Sequence, residues 1–130
     1  MSKYDFDIAI LGAGPAGSSA AIRLARAGRR VALIDRFSFP RHKVCGGCLS
    51  GVGTKFVREL LGNDAIPGVA ATRVTFVVGH RRISCAPDGA STVIRRTDLD
   101  YRLVEAALAA VAIGKFGTPA SLELEGDHWS

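Results

Sequence analysis

Apolar and polar positions fall into short blocks that change period along the chain. Ile8-Ala-Ile-Leu11 is an unbroken apolar run between Asp7 and Gly12, the pattern of a strand buried on both faces of a parallel sheet. Ser18 to Ala27 is rich in Ala and Arg and is followed by Gly28, which predicts a helix closed by a glycine C-cap. Val31-Ala-Leu-Ile34 is a second apolar run, ending at Asp35. Thr54 to Leu61 sets Phe56, Val57, Leu60 and Leu61 against Lys55, Arg58 and Glu59, the spacing of a short amphipathic helix. Arg73 to Val78, Arg81 to Cys85 and Thr92 to Ile94 read as strands, with turns at Gly79-His80 and Pro87-Asp-Gly89. Thr97 and Asp100 have capping-box spacing, so a helix is predicted from about Thr97, with Leu99, Leu103, Ala106 or Ala107, and Ala110 on one face. Gly114-Lys-Phe-Gly-Thr suits a strand. Leu122 and Leu124 alternate with Glu123 and Glu125 as in a half-exposed strand opening a hairpin at Gly126-Asp127, whose return strand is expected to lie outside the sequence.

The first three blocks form a βαβ unit with a glycine-rich turn, Gly12-Ala-Gly-Pro-Ala-Gly17. Gly12 permits the tight turn out of the strand, and Gly14 lets backbone approach a diphosphate without a Cβ in the way. Gly17 lets the helix pack closely on the strand, and Ala21 extends that small face by one turn. The diphosphate then sits on free N–H groups at the positive end of the helix. Asp35 is placed to accept hydrogen bonds from ribose hydroxyls. A lone G-x-G-x-x-G is weak; here the strand before it, the helix after it and the acid at the end of the second strand agree on dinucleotide binding. Asp35 opposes a 2′-phosphate and so speaks against NADP, although Arg36 beside it weakens that argument. NAD and FAD are not separated by this turn.

Composition adds little. Hydrophobic residues make up 48% and charged residues 22% of 130 residues, which fits one folded domain and excludes a disordered or fibrous chain. Seventeen Lys and Arg against twelve Asp and Glu leave +5, scattered along the chain rather than stacked on one face. With two Tyr, one Trp and six Phe, base-stacking platforms are few, and nucleic acid is not expected as a partner. No window approaches the roughly 18 apolar residues of a transmembrane segment, and the acidic start does not resemble a signal peptide. An odd count of three cysteines argues against a disulfide scaffold and for a reducing compartment, so a cytoplasmic location is expected.

Residues 36–51 carry more chemistry. Pro40 and Gly46-Gly47 exclude a continuous helix or central strand, so this is a loop leaving the carboxyl end of the second strand, where ligands bind in open α/β sheets. Arg41, His42 and Lys43 bring positive charge there, or remain solvated loop charges. Cys45-Gly-Gly-Cys48 has no second pair for a metal, and no helix is expected to open on it as in a thiol oxidoreductase, so no metal site is assigned. His80 is read as a turn residue and Cys85 as a small buried strand residue.

Gly12 to Gly17, Asp35, Pro40-Arg-His-Lys43-Val-Cys45-Gly46-Gly47 and Arg96-Thr-Asp-Leu99-Asp100 stand in an order that resembles the geranylgeranyl reductase group of FAD-dependent oxidoreductases, within the class that includes para-hydroxybenzoate hydroxylase. The resemblance spans residues 7 to about 108. It implies an α/β chain: a Rossmann-like FAD-binding βαβ domain with a parallel sheet, and the beginning of a β insertion over about residues 70–95 as a substrate-side sheet. Residues 1–130 would be a partial domain, roughly the first third of such an enzyme. It implies FAD as cofactor, with Gly12, Gly14, Pro15, Ala16 and Gly17 on the diphosphate and Asp35 on ribose. Arg36, Lys43, Cys45, Gly46 and Arg96 would surround the flavin, with Cys45 as the candidate catalytic residue. Relatives of this kind reduce polyprenyl double bonds by hydride transfer from reduced flavin. NAD(P)H or another electron donor, an isoprenoid or other hydrophobic substrate and peripheral membrane contact are the implied partners. A flavin monooxygenase and a non-catalytic dinucleotide-binding fragment are the alternatives.

Overall fold

A computed structural model describes residues 5–62, 66, 68–86 and 91–126, and the backbone of 128–129. In chain order the elements are β1 (Ile8–Leu11), α1 (Pro15–Arg26), β2 (Val31–Asp35), β3 (Cys48–Leu49), α2 (Gly51–Leu61), β4 (Val69–Ala71) and β5 (Val74–Val78). There follow β6 (Arg81–Cys85), β7 (Ser91–Val93), α3 (Arg96–Ala109), β8 (Ile113–Phe116), β9 (Leu124–Glu125) and β10 (His128–Trp129).

The predicted βαβ unit is present. β1, β2 and β8 form a parallel sheet in that order, with Ile10 opposite Leu33 and Leu33 opposite Gly114. Both long helices pack on one face. Ile22 of α1, Val31 and Leu33 of β2, and Leu103, Val104 and Ala107 of α3 are buried together there. α1 begins three residues before Ser18 because Pro15 suits the first helical position, where its missing N–H costs nothing. It ends at a Schellman motif: Gly28, at φ 79°, donates to the Ala25 carbonyl and Arg29 to that of Leu24. α2 starts at Gly51 rather than Thr54, because the Ser50 hydroxyl accepts the Gly53 N–H at 3.1 Å.

β1 is not buried on both faces: Ala9 and Leu11 are exposed. The helices cover the opposite face, and β1 is an edge strand with β2 as its one neighbour among the described residues. The rest of the sheet structure is antiparallel, with β3 and β4 flanking β7 and with β5 paired to β6 as a separate hairpin. Phe76, Val78 and Ile83 of that hairpin are exposed, and so is Cys85, which is therefore not a buried residue. The expected return strand lies inside the sequence: His128–Trp129 pairs with Leu124–Glu125. Leu122 and Leu124 are both exposed rather than half-buried alternates. The turn at Pro87-Asp-Gly89, and Asp127 of the last hairpin, lie outside the described residues.

α3 starts at Arg96 with Arg95 as N-cap and no side-chain cap hydrogen bond, so the predicted capping box does not form. The Asp100 carboxylate is taken by Arg96 instead.

Of the described glycines, Gly17 leaves the least room for a side chain. A Cβ there would land on the carbonyl oxygen of Gly12 and lie 3.2 Å from Ile10 Cγ2. Neither backbone segment has room to retreat, since Gly12 donates its own N–H to the Ile34 carbonyl at 2.7 Å. Gly17→Ala is expected to lower unfolding stability by about 1–3 kcal/mol, as overpacking does, read by urea or thermal denaturation. A variant as stable as the parent would show that helix and turn separate freely.

Candidate cofactor-binding site

The first helical turn of α1 presents a concentrated positive field. Its N-cap is Gly14, which has no side chain to cap with, and the first turn carries no acidic residue. By helix geometry the N–H groups of Ala16 and Gly17 have no intrahelical acceptor, and the helix dipole puts partial positive charge on them. Two guanidinium groups converge on the same spot. The Nη2 atoms of Arg41 and Arg96 lie 3.7 and 3.8 Å from where a Gly14 Cβ would stand.

These cations belong to a chain of alternating charge. Asp35, at the end of β2, accepts the Ala13 N–H at 2.8 Å through Oδ2 and the Phe37 N–H at 3.0 Å through Oδ1. Arg41 Nη2 is 3.8 Å from Asp35 Oδ2 and 3.4 Å from Asp100 Oδ2. Asp100 is fully buried and accepts two bonds from Arg96, Nε at 2.7 Å and Nη2 at 2.9 Å. Arg41 is itself nearly enclosed, its guanidinium over the Phe39 ring at 5.0 Å and the Phe37 ring at 6.0 Å, and its buried Nε has no partner. So Asp35 and Asp100 hold two arginines at a helix N-terminus that already attracts anions.

A cavity opens on either side. One, of about 560 Å³ and mostly apolar, is lined by Pro15, Ala16, Cys45, Gly47, Cys48 and Arg96, with Phe56 and Val57 of α2. The other, of about 420 Å³, is bounded by Gly12, Asp35, Arg36, Arg41, Lys43 and Pro119 at the carboxyl ends of β1 and β2. Gly12, at φ 102°, makes the turn between them. The spot between the cavities is suited to an anion. Donors from backbone and guanidinium face it from two sides, and the missing Cβ of Gly14 leaves the approach clear.

The structure brings together Gly12, Gly14, Pro15, Ala16, Gly17, Asp35, Lys43, Cys45 and Arg96 around this spot and its two cavities. Arg36 lies at the outer edge, exposed, with its guanidinium 4.9 Å from the Phe37 ring centre. Gly46 is exposed and lines neither cavity. The loop is pinned one residue later. Gly47 accepts the Ile94 N–H at 2.8 Å, and with φ 71° and a Cβ position that would fall on the Ile94 carbonyl it has to be glycine. Arg41, one of the three basic loop residues expected at the ligand edge or in solvent, stands at this spot, and Asp100 is a functional candidate to which the sequence gave no role. A signal for Asp100 exists: on α3 it shares the buried stripe of Leu103, Val104 and Ala107, and Arg96 stands four residues before it.

Cys45 is exposed, and its Sγ accepts the Gly47 N–H at 3.4 Å. That bond, with the Arg96 guanidinium beside it, holds the thiol pKa below its ordinary value. In a Cys48→Ser/Cys85→Ser background, carboxymethylation of Cys45 is expected to reach half its maximal rate below the pH of a free cysteine. Arg96→Gln is expected to move that midpoint upward. A midpoint at or above that of free cysteine would remove the thiolate-stabilising role of this loop.

The family model described as FAD dependent oxidoreductase matches residues 7–112. Similar proteins include the menaquinone reductase of Mycolicibacterium smegmatis, 50% identical over 54 residues, a stretch that takes in 42% of this chain and 12% of that protein. The soluble pyridine nucleotide transhydrogenase of Pseudomonas putida is 46% identical over 61 residues, 45% of this chain and 12% of that one. Among solved structures, the flavin-dependent brominase Bmp2 superposes with a TM-score of 0.83 at 25% identity, over 95% of this chain and 32% of the brominase. The myxobacterial chondrochloren halogenase gives 0.81 at 22% identity, over 93% of this chain and 31% of that one, a likeness of fold. The chain therefore spans about a third of the length of these structures, and its matched stretch about an eighth of the curated relatives. The match takes in β1, the glycine turn, β2 and both arginines, and the chain belongs to the FAD-dependent oxidoreductases.

Proposed function

We propose that this chain holds the diphosphate and ribose of FAD across the N-terminus of α1, in an enzyme that reduces a carbon–carbon double bond of a hydrophobic, isoprenoid-type substrate. The observation that carries the reading is the convergence of Arg41 and Arg96 on the bare backbone of Gly14. Bound FAD supplies hydride transfer; the protein supplies binding, orientation and proton management.

The residues divide by position. Ala16 and Gly17 offer N–H groups and Arg41 and Arg96 offer charge to the diphosphate, while Gly12, Gly14 and Pro15 shape the turn beneath it. Asp35 spends one lone pair of each oxygen on Ala13 and Phe37, and the others remain for ribose hydroxyls. Arg36 and Lys43 flank the adenosine side. Cys45 and the Gly47 backbone flank the apolar cavity, where a planar ring and an apolar substrate find a water-poor wall. The lowered pKa of Cys45 makes its thiol a stronger acid, the direction required of a group that gives its proton to one alkene carbon as hydride adds to the other. Reduction is also the activity named for the menaquinone reductase to which the chain is similar. A flavin monooxygenase is the second reading, drawn from the likeness to a flavin-dependent brominase; the cysteine-glycine-glycine segment at the apolar cavity favours the reductase.

The test is FAD titration of the folded chain, followed by flavin fluorescence and by competition with ADP. FAD is expected to bind and ADP to displace it. Arg41→Ala and Arg96→Ala are each expected to weaken binding roughly tenfold or more, the scale of a charge-assisted hydrogen bond at about 1.5–3 kcal/mol. A folded chain that binds no FAD, or variants that bind it as the parent does, would overturn the assignment.

A further inference from the structure

Asp100 has no place in the binding roles just assigned, yet it is the most deeply buried charge at the site. Its side chain is fully enclosed, between α3's apolar neighbours Leu99, Leu103 and Val104 and the two arginines. A carboxylate at that depth is costly unless its partners are held in good geometry. Here they are: Arg96 grips both oxygens as a fork, and Arg41 Nη2 lies 3.4 Å from Oδ2. The same two Nη2 atoms are the ones that approach Gly14. Each carries two hydrogens, so each can face Asp100 with one and a ligand with the other.

The other charges around the pair are accounted for. Asp35 lies 3.8 Å from Arg41, and the Cys45 thiol is beside Arg96. Arg95, the next cation, turns outward to Asp98 at 3.1 Å with its side chain 85% exposed. Left without Asp100, two like-charged guanidinium groups at the positive end of a helix would repel one another and the helix. They would also regain the rotamer freedom that long side chains lose when held.

We propose that Asp100 is a positioning residue of the diphosphate site: its carboxylate binds Arg96 and Arg41 side by side and presets their outer N–H groups toward a dianion at the α1 N-terminus. This rests on reading that N-terminus as the diphosphate site. It makes a prediction opposite in sign to the simplest electrostatic one. If Asp100 only offset positive charge, its removal would strengthen anion binding. If it aims the arginines, its removal weakens binding although the site gains a unit of positive charge.

ADP titration by calorimetry separates the two, with wild type, Asp100→Asn and, as a control on the same helix, Asp98→Asn. Asp100→Asn is expected to bind ADP about tenfold more weakly or worse, the loss of one charge-assisted contact, while Asp98→Asn stays within about twofold of wild type. Equal or tighter binding by folded Asp100→Asn overturns the inference and leaves the FAD reading standing. Wild-type chain that binds neither ADP nor FAD overturns both. Should Asp100→Asn not fold, the wild type alone decides by NMR. A single protected Arg96 Nε–Hε signal in the ligand-free protein is the expected result, and a rapidly exchanging, averaged one overturns the proposal.

Discussion

The carboxylate of Asp35 ties together three parts of the chain that would otherwise have independent freedom. Through one oxygen it accepts the Ala13 N–H of the glycine-rich turn, and through the other the Phe37 N–H of the loop leaving β2. It is only 8% exposed and stands beside Arg41, so these bonds are made where water competes weakly. The turn between β1 and α1 is thereby anchored to the end of β2, and the loop carrying Arg41, Lys43 and Cys45 starts in a fixed direction. From that anchor the alternating chain continues through Arg41 and Asp100 to Arg96, so that α3 is oriented against the same point. A dinucleotide site needs its donors set before the ligand arrives, and a polar network closed through buried carboxylates does this where loop backbone alone would not.

The cost of this arrangement explains why it is confined to one end of the sheet. Buried ion pairs contribute little net stability, because desolvation offsets most of the Coulomb attraction. Stability has to come from elsewhere, and it does: Ile22, Leu33, Leu103 and Val104 are all nearly or completely buried on the helix side of the sheet. Each such side chain contributes about 1.5–3 kcal/mol relative to exposure. The apolar layer supports the polar end. Ser18 lies at the seam between them, buried and donating from Oγ to the Ala13 carbonyl, so that the first turn of α1 belongs to both.

Much of this was legible from residue order. The βαβ unit could be read because each part leaves a distinct local mark: an apolar run, glycines where a Cβ would collide, and an acid at a strand end. Gly17 and Asp35 are the clearest cases, since each is needed by an immediate neighbour in the fold. β3 and β4 left no such mark, being two and three residues long and stabilised by pairing with β7 rather than by their own pattern. The apolar run of β1 predicted two buried faces, but an apolar strand reports what a residue prefers, not whether a second layer is present to cover it. Cys85 failed for the same reason: its hairpin pairs with itself, and among the described residues it packs against nothing that would enclose it.

Arg41 and Asp100 illustrate a different limit. Read locally, the arginine is one of three consecutive basic residues in a loop, and the aspartate is three residues after a threonine in a capping-box spacing. Both local readings are chemically sound. The fold overrides them because β2 ends and α3 begins at the same end of α1, which brings a loop cation and a helix anion to 3.4 Å. Once Arg96 and Arg41 are within reach, Asp100 gains more from two guanidinium partners in a buried setting than from a backbone N–H at a solvent-exposed helix start. Charged residues therefore carry the least local information in this chain and the most about its site, since their partners are chosen by topology.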